Sequence, residues 1–148
     1  MPIVRTEALI PAPPDEVWAV LADFDRYEAW NPLNIRARGE ARLGAKVRMT
    51  FLNLARPGTT IDQTVTVTTC VPGKALAWSG WVPLLFNGRH HFTLEQAAEG
   101  TRLMHGEDFG GLITLGFTPE RLARDFTPAY EGLNAALAAR VAGLSRGG

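Results

Sequence analysis

The chain has 148 residues, 46% of them hydrophobic, and its 15 lysines and arginines balance 15 aspartates and glutamates. This length suits one domain with a sizeable core, so we expect a single domain over residues 1–148. The zero net charge provides no bulk attraction for phosphate backbones or anionic lipids, which argues against nucleic acid as a partner.

The N-terminal residues predict a strand that ends at a proline-rich stop. Residues 3–10 form the strand, and the PAPP run at 11–14 ends it because proline cannot donate a hydrogen bond to a sheet. The first ten residues hold a proline and a charge where a secretion signal would need an uninterrupted apolar core. The single cysteine, Cys70, cannot form an intramolecular disulfide. We therefore expect a cytoplasmic protein.

Two helical segments are predicted next. Val17, Leu21 and Phe24 recur at the spacing of one helical face, which predicts a first helix over the segment DEVWAVLADF at 15–24. A short second helix over RYEAW should end before Pro32, because a residue that precedes proline is pushed out of the helical region. Asn31 is expected to bind backbone at that turn, with Trp30 packed beneath the sheet.

Residues 34–109 change to a pattern of about six strands separated by Gly- and Pro-containing turns. In the longest of these, TIDQTVTVTTCV, one face carries Ile61, Gln63, Val65 and Val67. The densest apolar run, WVPLLF at 81–86, is far shorter than the roughly 18 residues of a membrane helix, so no membrane span is expected. Turns are predicted at residues 43–45, 56–58, 71–73, 87–88 and 98–100.

The C-terminal region predicts one long amphipathic helix. Thr118 suits the N-cap and Pro119 the first helical position. Pro128 should remove one helical hydrogen bond and press on the carbonyl of Arg124, so we expect a kink or break near 124–128. The apolar face is formed by Leu122, Phe126, Tyr130, Leu133, Leu137, Val141 and Leu144.

The order strand, two short helices, six strands and one long helix indicates an α+β fold in which the long helix crosses a curved antiparallel sheet. Four segments carry a resemblance to a known family: IPAPPDEVWAVLADFDRYEAWNP at 10–32, HHFTLEQ at 90–96, TRLMHGEDFGG at 101–111 and YEGLNAALAARV at 130–141. In this order they resemble the START-like or SRPBCC superfamily, which includes polyketide cyclase/dehydrase and Bet v 1-like proteins. The resemblance implies a helix-grip fold: a seven-stranded antiparallel sheet curled around the C-terminal helix, with a cavity that commonly holds an apolar ligand.

The last hairpin can be phased from the sequence. With Glu99 and Gly100 as the two central loop residues, Leu94 lies opposite His105, Phe92 opposite Glu107 and His90 opposite Phe109. The opposite face is plainly wetter, so the first face should point towards the helix. That inward face carries His90, Phe92, Leu94, Leu103, His105, Glu107 and Phe109.

His90, His105 and Glu107 are the candidates for chemistry on this face. They could satisfy one another in a crowded core, orient a polar group of an apolar ligand, or act as acids and bases on a bound substrate. Two histidines and one carboxylate also suggest a facial-triad metal site, but nothing in their spacing is diagnostic. We expect neither a metal nor a cofactor.

Further residues are predicted to reach the cavity from other elements. Trp78 is in strand phase with Leu76 and should face inward, whereas Trp81 is expected to cap the entrance. Leu112 to Phe117, flanked by glycines, combine apolar side chains with flexible backbone, as a mobile lid would need. The C-terminal helix is expected to contribute Phe126, Tyr130 and Asn134.

The leading hypothesis is a binding or carrier protein that encloses a small hydrophobic molecule, such as a lipid, an aromatic or a polyketide-like compound. The alternative is a polyketide cyclase or dehydratase that uses Glu107, His90 and His105 in the same cavity. A third reading is an adaptor or chaperone cofactor, which would require an exposed apolar patch outside the cavity. A second copy of the chain is kept as a candidate partner.

Overall fold

A computed structural model describes residues 2–147. It contains one antiparallel sheet of seven strands, in the order β1-β7-β6-β5-β4-β3-β2. The predicted count of six strands after the first helices is confirmed, as is the helix-grip fold. The strands are β1 Ile3–Ile10, β2 Arg36–Arg38, β3 Lys46–Leu52, β4 Thr60–Val71, β5 Ala75–Val82, β6 Phe86–Ala97 and β7 Gly100–Gly110.

The helices lie in three places along the chain. Helix α1 (Pro14–Leu21) and a 3₁₀ helix (Phe24–Ala29) connect β1 to β2, and a second 3₁₀ helix (Leu112–Gly116) follows β7. The C-terminal helix comprises α2 (Pro119–Arg121), a π-helical turn (Leu122–Phe126) and α3 (Thr127–Gly147). This long helix packs on β1, on β7 and on α1.

The first helix ends earlier than predicted. Helix α1 stops at Leu21, and Phe24 belongs to the 3₁₀ helix. The buried Tyr27 hydroxyl donates to the Leu21 carbonyl at 2.5 Å, which satisfies a group at the helix end and turns the chain. At the following turn Asn31 Oδ1 accepts from the backbone N–H groups of Leu33 and Asn34, at 2.9 and 2.8 Å, as expected.

The hairpin of β6 and β7 has a different register from the predicted one. Its loop is Ala98–Glu99, because Ala97 pairs with Gly100, and so His90 lies opposite Glu107 and Phe92 opposite His105. The shift is two residues, which leaves each side chain on its predicted face because the period of a strand is two. Gly100 is not a loop glycine: a Cβ there would strike the Ile10 carbonyl of β1.

The turn predicted at 87–88 is also wrong. Asn87 and Gly88 lie inside β6, and the chain reverses at 83–85 instead. Gly88 pairs with Gly80 of β5 and Phe109 of β7 in the middle of the sheet. A Cβ at Gly88 would strike the Glu107 carboxylate, so this glycine makes room for a side chain.

The predicted break in the C-terminal helix is a π-helical turn. Pro128 has no N–H, and the preceding N–H of Thr127 bonds to the Leu122 carbonyl, five residues back. The Thr118 side chain caps the start by accepting from Arg121 N at 3.1 Å, as predicted. The apolar face is buried from Leu122 to Val141, whereas Leu144 is half exposed.

Two leucines of this face provide a test of the helix packing. Replacing the fully buried Leu137 with alanine should lower the free energy of unfolding by about 2–5 kcal/mol, because the truncated side chain leaves a cavity between helix and sheet. Leu144→Ala is the matched control, with an expected change within about 0.5 kcal/mol. Urea denaturation followed by circular dichroism measures both, and equal losses would contradict this packing.

Candidate functional site

A cavity of about 520 Å³ lies between the curved sheet and the C-terminal helix. Such a volume is in the range of sites for drug-sized ligands. Its walls are mainly aliphatic and aromatic, with a small group of polar side chains. The lining consists of Leu33, Asn34, Phe51, Leu52, Asn53, Leu54, Ala55, Arg56, Ile61, Gln63, Val82, Leu85, Phe86, His90, Glu107, Phe109, Ile113, Phe117, Arg121, Phe126 and Tyr130.

Loops at the open end of the cavity are tied together by backbone hydrogen bonds. The N–H of Leu112 donates to the Leu84 carbonyl at 3.1 Å, and that of Ile113 to the Leu85 carbonyl at 3.0 Å. Ile113 lines the cavity, but Leu112 points outward, as does Leu115 at 85% exposure. The predicted lid segment is therefore a 3₁₀ helix that contributes one wall of the mouth.

Arg121 connects two of the mouth's segments. Its guanidinium donates to the Gly116 carbonyl at 3.3 Å and to the Ala55 carbonyl at 3.1 Å. The sequence predicted that Trp81 caps the entrance, and this prediction is wrong. The Trp81 side chain is 67% exposed. Strand alternation explains this, because Trp78, Gly80 and Val82 of β5 face the interior and Trp81 faces outward.

Glu107 is the central polar residue of the inner wall. Its Oε1 atom accepts a short hydrogen bond from the Tyr130 hydroxyl and lies 3.2 Å from His90 Nδ1, on the neighbouring strand. Burial, reinforced by the Glu107 charge, raises the pKa of Tyr130 well above its ordinary value. Tyr130 therefore remains a phenol and acts as a donor.

Behind this wall, a chain of hydrogen bonds runs from His90 to β1. His90 Nε2 is 2.6 Å from His105 Nε2, and His105 Nδ1 is 2.7 Å from Asn134 Oδ1 on α3. Asn134 Nδ2 then donates to Thr6 Oγ1 at 2.8 Å, and Thr6 Oγ1 donates to the His105 carbonyl at 2.8 Å. His90, His105 and Asn134 are at most 5% exposed, so water does not compete for these bonds.

The direction of each bond follows from the last acceptor. A backbone carbonyl can only accept, so the Thr6 hydroxyl donates to it and must accept from the Asn134 amide nitrogen. The Asn134 oxygen therefore faces His105 Nδ1, which carries a hydrogen. Burial, with the nearby His90 charge as a second cause, lowers the pKa of His105 well below its ordinary value. The ring of His105 is thus neutral and its Nε2 is a bare acceptor.

The bare nitrogen of His105 determines how many protons His90 and Glu107 hold together. Since His105 Nε2 only accepts, the hydrogen of this contact lies on His90 Nε2. The other ring nitrogen, Nδ1, faces Glu107 Oε1, and two lone pairs would repel each other there. One further proton must therefore lie between His90 and Glu107, either as imidazolium and carboxylate or as neutral imidazole and carboxylic acid. In both forms the proton is on the Oε1 side.

Aromatic stacking fixes the planes of these rings. His90 stacks on Trp78 with a centroid distance of 4.9 Å, and His105 stacks on Phe92 at 4.3 Å. Tyr130 lies nearly parallel to His90, 5.3 Å away. Rings packed in this way cannot rotate freely, so the hydrogen-bond chain keeps its geometry.

The second carboxylate oxygen of Glu107 points elsewhere. Oε2 lies over Gly88, and the Gln63 side chain lies over Gly80, whose Cβ would be 2.6 Å from Gln63 Oε1. These two glycines are paired across β5 and β6, so the missing side chains leave a polar niche of about 30 Å³ next to the main cavity. The niche is lined by Asn34, Phe51, Gln63, Val65, Trp78, Gly80, Phe86, Gly88, His90 and Glu107.

The predicted site residues divide into two groups. The first borders open space: His90, Glu107, Phe109, Phe126 and Tyr130 line the cavity, and Trp78 lines the niche with two of them. The second group is buried behind the wall and does not line the cavity, because α1 and α3 close on that end of the sheet. It consists of Phe92, Leu94, Leu103, His105 and Asn134.

Sequence reasoning missed five polar residues of the cavity wall, Asn34, Asn53, Arg56, Gln63 and Arg121, and the first and fourth of these also line the niche. Gln63 carried a signal, because it is the one polar side chain on the otherwise apolar face of β4. Asn34 carried none, since its burial depends on the turn that Asn31 holds. Gly80 and Gly88 were not recognised as the source of the space beside them.

The fold, with its cavity between sheet and C-terminal helix, defines a helix-grip protein. The chain belongs to the family described as polyketide cyclase / dehydrase and lipid transport, whose model matches residues 1–142. The resemblance to the START-like superfamily is thereby confirmed. No curated protein sequence matches the chain.

Solved structures show the same fold at low sequence identity. TTHA0849 from Thermus thermophilus is 19% identical, with a TM-score of 0.77 over 97% of this chain and 99% of its own. A START superfamily protein from Mycobacterium smegmatis is 16% identical, with a TM-score of 0.77 over 96% and 98%. The Zhui aromatase/cyclase from Streptomyces sp. R1128 is 20% identical, with a TM-score of 0.72 over 94% and 92%.

Two other features of the described chain bear on partners. Over residues 2–147, none of the helices has the length and apolar character needed to cross a membrane. Within the same range, no group of three or more His, Cys, Asp or Glu side chains could hold a metal ion. His90, His105 and Glu107 use their facing atoms on one another instead of converging on a common point.

The buried histidine makes stability depend on pH. Unfolded His105 takes up a proton near its ordinary pKa of 6.5, whereas the folded ring does not, so the unfolded state binds more protons as the pH falls below that value. Stability should therefore decrease from neutral pH towards pH 5, by up to about 1.4 kcal/mol per pH unit for this group. His91, whose pKa burial also lowers, adds to the same trend.

Urea denaturation at several pH values measures this slope. His105→Gln should flatten it, and His91→Gln is the comparison variant that leaves the His105 part in place. An unchanged slope in His105→Gln would contradict the assignment. Nitrogen-15 NMR of the wild type gives an independent check, because the neutral His105 should show a protonated Nδ1 and a bare Nε2.

Proposed function

We propose that the protein binds a small apolar molecule, aromatic or lipid-like, in the cavity between its sheet and C-terminal helix. The observation that carries this proposal is the cavity itself, at about 520 Å³ with aromatic walls and a polar group at one side. Packed interiors rarely leave space of this size without a use. Membership of a family described by lipid transport and by cyclase / dehydrase activity supports the same class of ligand.

Cavity-filling substitutions test this proposal. The neutral probe N-phenyl-1-naphthylamine should bind the wild type at one site with increased fluorescence. Val82→Trp places a bulky ring in the cavity wall and should weaken binding at least about tenfold, because the ligand loses volume and contact area. Leu9→Trp adds the same ring on the exposed outer face of β1 and is the matched control. Failure of the wild type to bind, or equal binding by both variants, would refute the proposal.

A second candidate, acid–base catalysis on the bound molecule, is favoured by one observation. The proton held between His90 and Glu107 leaves Glu107 Oε2 facing open space, with the Tyr130 phenol beside it. In the imidazolium–carboxylate form, Glu107 Oε2 can remove a proton from a carbon next to a ketone, and the nearby positive charge of the His90 ring stabilises the enolate that remains. Cyclisation and dehydration of polyketide-like substrates both include such a step.

Proton exchange tests the second candidate separately from binding. The protein should accelerate exchange of the α-hydrogens of 2-tetralone in heavy water, followed by NMR. Glu107→Gln should reduce this acceleration about 10²–10⁴-fold, because the amide cannot accept the proton. Binding of N-phenyl-1-naphthylamine by the variant shows whether the cavity is intact. Exchange at the same rate in wild type and Glu107→Gln would contradict the catalytic candidate, and the binding function would then be the remaining proposal.

A further inference from the structure

We infer that the niche beside Gly80 and Gly88 binds one hydroxyl group, so that the preferred ligand is a hydroxylated aromatic molecule. This inference rests on the proposed binding function and narrows its ligand class. It concerns the niche rather than the main cavity. The niche has a volume of about 30 Å³. One water molecule needs a cavity of roughly 10–15 Å³, so the niche admits a single small group such as a hydroxyl.

Three polar side chains of the niche have unused hydrogen-bonding capacity. Asn34 is 3% exposed, and its Oδ1 is buried with no partner among residues 2–147. Its Nδ2 makes only a 3.9 Å contact to the Met49 sulfur. Within the described chain, neither Glu107 Oε2 nor the Gln63 amide is engaged in a hydrogen bond. A buried polar group without a partner is costly, and the orphan Asn34 oxygen lies at the same small space as the free Glu107 oxygen and the half-buried Gln63 amide, which indicates a guest that satisfies them.

The chemistry of these groups selects a donor. Glu107 Oε2 accepts in either form of the His90–Glu107 pair, because the shared proton lies on the Oε1 side. Asn34 Oδ1 also accepts, whereas the Gln63 amide can donate. A hydroxyl donates one hydrogen bond and accepts others, which matches this set. A ketone or an ether only accepts and would face two oxygens.

The surroundings select an aromatic carrier for the hydroxyl. The niche and the main cavity share Asn34, Phe51, Gln63, Phe86, His90 and Glu107, so one molecule can occupy both. Phe86 and Phe109 lie 6.1 Å apart at the wall, and Phe109 meets Phe126 edge to face at 5.6 Å. Flat rings pack well on such a wall, and a hydroxyl on the ring edge would then enter the niche.

Three naphthalenes that differ in one substituent test the inference. Their affinities are measured by displacement of N-phenyl-1-naphthylamine. Wild type should bind 2-naphthol at least about tenfold more tightly than naphthalene, because a site built for a hydroxyl is left with unpaired groups by the analogue without one. 2-Methoxynaphthalene should show no such advantage, since it cannot donate.

Two variants locate the preference in the niche. Asn34→Leu removes the orphan oxygen and should reduce the advantage of 2-naphthol several-fold, with a melting temperature no lower than that of wild type. Gly80→Ala brings a methyl group against Gln63 and should weaken 2-naphthol while leaving naphthalene unchanged. Gly132→Ala, on the exposed side of α3 with open space around it, is the matched control and should keep the wild-type ratio.

The outcomes separate this inference from the function on which it rests. If neither naphthalene nor 2-naphthol binds, the proposed binding function fails and the niche proposal fails with it. Equal affinities for naphthalene and 2-naphthol would mean that the ligand's hydroxyl does not displace water from the niche. That result would refute the hydroxyl site and leave the binding function intact. A tenfold preference that persists in both Asn34→Leu and Gly80→Ala would place the hydroxyl elsewhere and also overturn it.

Discussion

The site depends on one obligatory acceptor, the backbone carbonyl of His105. Because this oxygen cannot donate, it sets the direction of the Thr6 hydroxyl, then of the Asn134 amide, and then of both histidine rings. The chain ends at Glu107, where it leaves one proton to be shared with His90. A group on β1 and a group on α3 thus determine that one proton is shared between His90 and a carboxyl group that faces the cavity. The bonds also join the helix to the sheet that it crosses, so fold and site use the same contacts.

Space in this molecule is made by glycine as much as by the curvature of the sheet. Gly80 and Gly88 are paired neighbours, and the absence of their side chains lets Gln63 and Glu107 lie flat over the strands. Gly100 performs a related task at the sheet's other end, where the backbone of β1 approaches too closely for a Cβ. Glycine in a strand weakens the strand itself, so such positions persist where close approach has a structural purpose.

These glycines also explain where sequence reasoning succeeded and where it failed. The inward face of β6 and β7 was predicted correctly, because an alternating pattern survives a register error of two residues. The register itself, and the supposed turn at 87–88, were wrong because Gly88 and Gly100 were interpreted as loop residues. A single sequence contains no mark that distinguishes a glycine needed for a turn from one needed for space. The prediction of which residues line the cavity was incomplete for a similar reason. Asn34 lines the wall because of tertiary contacts that local sequence patterns do not encode.

Polar groups that have hydrogen-bond partners and polar groups that lack them lie on different sides of the cavity. The first group holds the structure together, and the second is available to a ligand. Thr6, Asn134, His105 and His90 are buried or partly buried, and each finds partners, so these groups form a closed network that costs little and specifies one arrangement. On the opposite wall, Asn34 Oδ1 is buried without a partner among residues 2–147, and the half-buried Gln63 and the free oxygen of Glu107 line the same niche. A protein that could have placed leucine at such positions keeps polar side chains there at a cost in stability. In the proposed binding function, that cost is recovered when a molecule with a complementary group enters, so the unsatisfied side of the cavity, rather than the histidine network, would determine which ligand is preferred.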